Sequence, residues 1–175
     1  MLATVAAAVG LLVGITSLTD WLGRTLDDPE PPPPPQIDAR IRSVETRGTR
    51  ETLEDYLRET GQSLRGVPAL DRRELGLSFA VRVRLRGAIG KEFPLRWSLY
   101  DADRGRRLKH AIYNQEAAVL TPASRDHART WPVWVPYPLR EGRFFLRATL
   151  TDAEGRPVDE RDSASVQVAR VPQLR

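Results

Sequence analysis

The chain has 175 residues, 27 lysines and arginines against 23 acidic residues, no cysteine, two histidines and a single methionine. The lack of cysteine excludes disulfides and thiolate metal sites, and His110 and His127 alone leave little for a His-rich metal centre or a His-dependent triad. Hydrophobic residues at 41% and charged residues at 29% give the balance of a globular chain rather than a disordered one.

Lysine supplies only Lys91 and Lys109, so 25 of the 27 cations are arginine. A GC-rich coding genome explains that skew, and the basic isoelectric point does not by itself imply a nucleic-acid partner; none is expected. Charge is unevenly placed: residues 1–36 carry Arg24 against Asp20, Asp27, Asp28 and Glu30, and the basic excess lies beyond them.

Leu2 to Leu18 holds no charge and no proline, and so reaches the lower limit of about 17 residues for spanning a bilayer's hydrocarbon core. Extending the run to Leu22 puts Asp20 and Trp21 in the headgroup zone, where interfacial aromatics sit. The expectation is a transmembrane anchor helix over 1–24, held in the lipid bilayer through residues 2–22. A cleaved signal peptide would carry a basic leading region and a small-x-small cleavage site, and neither is present. A buried globular helix would show a polar stripe, and none appears before Thr16. Ala6, Gly10 and Gly14 recur every four residues and form a candidate helix dimer face, since small residues let two helix backbones approach closely. The plain alternative is that alanine and glycine are common in membrane helices.

Residues 25–36 contain Pro29 and then Pro31 to Pro35. Consecutive prolines settle into an extended polyproline II rod of about 3 Å per residue, a semi-rigid spacer. The segment reads as a stalk, and residues 37–175 as the body. Ile37, Ala39 and Ile41 alternate with charged residues as a short first strand. Thr49 to Glu59 reads as a helix ended by Gly61, and Leu70 to Gly76 as a further helical turn, so that about 49–76 forms a helical insertion.

From Leu77 the period becomes two. Leu77, Phe79, Val81, Val83 and Leu85 alternate with Ser78, Ala80, Arg82, Arg84 and Arg86, as in a strand with one buried face. A second such run points Phe93, Leu95, Trp97 and Leu99 inward. Strands are also expected over Arg107 to Tyr113, over Ala117 to Leu120, and over Thr130 to Val135, where Pro132 and Pro136 confine the last to a sheet edge. Phe144, Leu146, Ala148 and Leu150 alternate on another strand, the turn Asp152 to Gly155 follows, and the chain resumes through Val166 and Val168. Short strands with regular turns, and helices only near the start, predict a mainly β fold, an antiparallel β-sandwich.

The string Gly142-x-Phe144-x-Leu146-x-Ala148-x-Leu150-x-Asp152-x-x-Gly155 resembles the penultimate strand and hairpin of bacterial Ig-like domains, a group that includes PKD-like and fibronectin-like sandwiches. Trp97 is similar to the buried strand-C tryptophan of Ig domains. The resemblance runs from Leu77 onward and implies an Ig-like fold with no catalytic residue. The cysteine pair of Ig domains is missing, and Phe144 stands where a tyrosine is usual. The layout also resembles uncharacterised membrane-anchored proteins of GC-rich Gram-positive bacteria, which implies a location and not an activity.

Candidate chemistry is sparse. Asp101-x-Asp103-x-Gly105 lacks the further oxygen ligands of a calcium loop and reads as a turn, as does Asp152 to Gly155. Ser124, Asp126 and His127 have no nucleophile elbow. No catalytic, cofactor-binding or metal residue is therefore expected. Two candidate binding surfaces remain. Arg82, Arg84 and Arg86, joined by Arg96, form a cationic face for anionic polymers or headgroups, with the alternative that acidic neighbours neutralise it. Trp134 and Tyr137 lie in Trp131-Pro132-Val133-Trp134-Val135-Pro136-Tyr137-Pro138, an aromatic edge suited to stacking on sugars or on a partner, with packing at a sandwich rim as the alternative.

The expectation is a non-enzymatic, single-pass cell-membrane protein that presents an Ig-like interaction domain on a proline stalk to an unknown protein. The alternative is a carbohydrate- or cell-wall-binding module whose partner is a wall polysaccharide. An extracytoplasmic body fits a stalk that lifts a domain clear of a crowded surface. The positive-inside rule, applied to Arg24 and to Arg40 and Arg42, gives the cytoplasmic alternative.

Overall fold

Strict alternation over Leu77–Leu85 and Phe93–Leu99 puts one face of each stretch out of water, and these two faces meet. The structure, a computed structural model, describes residues 36–65 and 67–169. They form β1 (Asp38–Thr52), α1 (Leu53–Glu59), α2 (Ala69–Arg72), β2 (Leu75–Arg86), β3 (Phe93–Asp101), β4 (Arg106–Arg107), β5 (Asn114–Leu120), β6 (Asp126–Pro136), β7 (Gly142–Thr151), β8 (Pro157–Asp162) and β9 (Val166–Val168). One antiparallel sheet has the order β1-β2-β6. In the other, β3 and β7 pair centrally, β4 and β5 share the free edge of β3, and β8 and β9 share that of β7.

The inward residues of β2, β3, β6 and β7 make a single core. Phe79, Leu85, Leu95, Leu99, Phe144 and Leu146 are all fully buried in it. Each such side chain contributes about 1.5–3 kcal/mol relative to exposure. The mainly β sandwich expected from the sequence is thus the architecture found, with Trp97 buried on β3. Ser78 and Ala80 are buried too, although they point away from that core. This half of β2 is covered on both faces. α1 packs against β1 and β2 and buries Tyr56 and Leu57, and burial pushes the Tyr56 phenol up to about 12.

Several boundaries differ from expectation. The first strand is not the short 37–42 segment but runs to Thr52, and Thr49–Thr52 belong to it rather than to the helix. Register breaks between Ile41 and Ser43, Thr46 and Gly48, and Gly48 and Glu51 disrupt the period-two signal along β1. The helix starts at Leu53 because the Thr52 hydroxyl accepts the Asp55 N–H at 3.1 Å, a side-chain N-cap. The second helical turn ends at Arg72, and Leu75 and Gly76 already pair in the sheet. Arg107 to Tyr113 is not a strand: only Arg106 and Arg107 pair with β3, and Ala111–Tyr113 is a 3₁₀ turn capped by His110. β8, which the sequence reading did not find, carries one large apolar residue, Val158, among charged ones.

Where the two sheets approach along one side, side chains replace a backbone ladder. The Ile41 N–H donates to an Asp159 carboxylate oxygen at 2.7 Å, and the Arg161 guanidinium donates to the Arg42 carbonyl. The bulge at Arg42 frees these backbone groups from β2 and turns them toward β8.

Candidate functional site

Proline at 132 and 136 fits β6 because it is an edge strand, paired among the described residues with β2 alone. Val133 and Val135 enter the core, Trp131 packs against it half-buried, and Trp134 faces the other way. The Trp134 indole packs against Gly76, where an added Cβ would collide with the ring, and its Nε1–H donates to the Glu51 carbonyl at 3.3 Å. The Tyr137 hydroxyl donates to the Thr49 carbonyl, its N–H donates to the Leu75 carbonyl at 3.0 Å, and its own carbonyl accepts the Tyr113 hydroxyl at 3.0 Å. Both aromatics therefore fasten the end of β1 across β2. Tyr137→Phe should lower stability by about 1 kcal/mol, the worth of one such hydrogen bond. Urea denaturation measures it. An unchanged midpoint would leave the hydroxyl free for an external partner.

On the outer face of the first sheet the arginines expected to cluster do so, in part. Arg84 pairs across the ladder with Arg40 and Ala128, Arg82 with Ser43 and Thr130, and Arg86 with Asp38 and Asp126. Asp126 receives the Arg84 Nε–H at 2.7 Å, a second Arg84 donor, and Arg86 at 3.4 Å. Hydrogen bonding from Arg84 pulls the Asp126 carboxyl down to about 2 and raises Arg84 in turn. Arg82 meets Glu45 at 3.2 Å and Arg40 meets Asp38 at 2.6 Å. Arg96 does not join them. It lies on β3 in the other sheet, whose outward side faces the opposite way. Arg42 comes in instead, lining with Arg82, Arg84, Ala128 and Thr130 a shallow depression of about 460 Å³; Arg129 borders it along β6 but pairs with the inward Val83, so its side chain belongs to the other face. Arg129 stacks on Trp131, 4.8 Å from the ring centroid.

The aspartate loops act as turns. The Asp101 carboxylate accepts the N–H groups of Asp103 and Arg104 at 2.9 and 3.1 Å and pairs with Arg140. Asp103 bonds Arg143, whose hydrogen bond holds its carboxyl below the usual range. Asp152 accepts Glu154 and Arg156 N–H groups and pairs with the Arg156 guanidinium at 2.7 Å. The Ser124 hydroxyl donates to the Asp126 carbonyl, and the Asp126 carboxylate is taken by Arg84 and Arg86, so these residues do not assemble with His127. On the second sheet's outer face Tyr100 stacks on Phe145 at 5.1 Å. Arg147 covers the pair while bonding Asp162 at 2.7 and 2.8 Å.

Among the described residues no helix is long and apolar enough to cross a membrane, and no group of three or more acidic or imidazole side chains gathers as a metal site. The anchor over 1–24 with Ala6, Gly10 and Gly14, and the stalk up to Pro35, lie outside the described residues.

No known protein family matches the chain, and no curated protein is similar to it. Among solved structures, a β-galactosidase candidate from Bacteroides fragilis is similar at a TM-score of 0.41 and 13% identity over 74% of this chain. The chain spans only 17% of that protein. The ApaA candidate from Bordetella pertussis is similar at a TM-score of 0.29 and 14% identity, over 82% of this chain and 99% of that one. Likenesses this distant carry no argument about what the chain does.

Proposed function

We propose that the chain is a non-enzymatic, single-pass membrane protein whose body is an Ig-like interaction domain held on a proline stalk. The observation that carries this reading is the strand layout. β1-β2-β6 faces a sheet centred on β3 and β7, with Trp97 buried on β3, as in Ig-like and fibronectin-like sandwiches. An apolar run and five consecutive prolines precede it. Sandwiches of this kind present surfaces rather than clefts, and function resides in what those surfaces hold.

The carbohydrate-binding alternative has less support. It needs Trp134 and Tyr137 to offer ring faces outward, yet both are spent on Gly76 and on the carbonyls of Glu51 and Thr49. An epitope fused after Arg175 tests attachment and orientation together. The chain should sediment with membranes after an alkaline wash, and protease added to intact cells should remove the epitope. An epitope that survives until lysis puts the body in the cytoplasm, and a chain released by the wash refutes the anchor.

A further inference from the structure

We infer that the open edge of β6 over 126–132 takes up an extended, acidic segment of a partner protein as an added strand. The inference rests on the interaction-domain reading and names the surface and the partner chemistry of that body.

The first sheet has two edges. That of β1 is fastened to β8 through Asp159 and Arg161. That of β6 pairs with no strand among the described residues. Two hydrogen bonds at the ends of β6 fix which of its backbone groups are free. The Arg125 carbonyl accepts the Gly87 N–H at 2.9 Å, and the Tyr137 N–H donates to the Leu75 carbonyl at 3.0 Å. The register between them is unbroken, so odd-numbered residues bond β2 and even-numbered ones turn their N–H and carbonyl to the open side. Pro132 and Pro136 stand at two of these open positions and bring no donor there. Below Pro132 the donors remain. The N–H groups of Asp126, Ala128 and Thr130 and the carbonyls of Ala128, Thr130 and Pro132 have no hydrogen-bond partner among the described residues. The Asp126 carbonyl is already served by the Ser124 hydroxyl at 3.0 Å. This strip is a template for one more short strand, in which main-chain bonds give affinity and alternate side chains give specificity.

Charge selects the occupant. Across the ladder from His127, Arg129 and Trp131 lie Leu85, Val83 and Val81, all buried, yet Arg129 is exposed and the other two are half-buried. This stretch of β6 therefore lies at the rim of the core. Arg125, just before it, is exposed as well, and neither Arg125 nor Arg129 meets a carboxylate among the described residues. A strand beside β6 sets every second side chain opposite His127, Arg129 and Trp131, at the closer positions with Cα atoms about 4.5 Å apart. Opposite charges stabilise such pairs and like charges oppose them. A second copy of β6 would bring its own Arg125 and Arg129 to this cationic edge. A segment with carboxylates at alternate positions neutralises it, while its other side chains pass over the small Ala128 and Thr130.

The test uses the full chain in non-ionic detergent and a fluorescein-labelled peptide of alternating threonine and glutamate, read by anisotropy at low salt. The peptide should bind saturably, and its lysine counterpart should not. N-methylation of the threonines keeps the charge and removes the donors facing β6, so it should weaken binding about tenfold or more. Thr130→Pro removes a donor from the open edge and leaves the β2 ladder whole, and it should do the same with the melting temperature nearly unchanged. Arg129→Glu should also weaken binding about tenfold, whereas Arg106→Glu, the same charge change on β4 of the other sheet, should cost less than about threefold. Should Thr130→Pro fail to fold, the N-methylated peptide and the Arg129→Glu variant decide. Equal binding of the methylated and unmethylated peptides, or equal losses in the two glutamate variants, would reduce the effect to general charge and overturn the site. No saturable binding by the wild-type chain overturns it too, as does a dimer that Thr130→Pro converts to monomer, which gives the edge to a second copy. Any of these results with a folded, membrane-attached chain removes the strand site and leaves the interaction-domain reading standing.

Discussion

Trp97→Ala should destabilise the body by about 3–5 kcal/mol, the usual cost of truncating a large aromatic inside a packed core. Trp97 is 6% exposed, lies between the fully buried Leu95 and Leu99 along β3, and is flanked in the ladder by Gln115 of β5 and Ala148 of β7. The loss takes a large share of the about 5–15 kcal/mol that holds an ordinary domain folded. Its Nε1–H is buried without a hydrogen-bond partner among the described residues, a defect that costs about 1–3 kcal/mol. Trp97→Phe removes that orphan donor while keeping most of the volume, so it should cost well under half as much as alanine. Equilibrium urea denaturation of residues 36–175 reads both values. A loss below about 1 kcal/mol for alanine would contradict the packing around β3.

The Asp101→Ala substitution should cost about 2–3 kcal/mol, because it strips two backbone N–H groups and one guanidinium of their acceptor together. The Asp101 side chain is 6% exposed at the end of β3, while that of Arg140 is 38% exposed, so water screens part of the ion pair. The two N–H bonds from Asp103 and Arg104 fix the turn that leads into β4. Asp101→Asn keeps an oxygen for these two donors and gives up only the charge facing Arg140. It should therefore lose about half of what alanine loses. If the two variants prove equally unstable by thermal denaturation, the charge and not the turn holds this corner.

The sequence revealed strands where alternation is unbroken. β2, β3 and β7 keep strict period two, and their inward residues are buried, with Ser78 and Ala80 of β2 buried as well beneath the covering at that end. β1 hides its length because three register breaks scatter its pattern. β8 hides altogether because an edge strand that buries almost nothing needs no apolar face. The same logic governs the surface residues. Alternation correctly placed Arg82, Arg84 and Arg86 on one outward face. It says only that a side chain points away from the core, not which of two opposed sheets carries it, so Arg96 was grouped with the wrong set. Arg42 reaches the depression through a bulge, which leaves no mark in local periodicity.

The seam between β1 and β8 bears on the order in which the chain acquires its shape during synthesis. The Ile41 N–H waits for a carboxylate 118 residues downstream. The β1–β2 ladder has both its strands in hand once Arg86 has left the ribosome, but the free flank of β1 stays unfastened until Asp159 and Arg161 emerge. Contacts between segments so far apart are slow to close, and an open strand edge invites pairing with other chains in the meantime. A nascent chain halted before Asp159 carries that hazard permanently, since the carboxylate that would cover β1 lies 118 residues beyond Ile41.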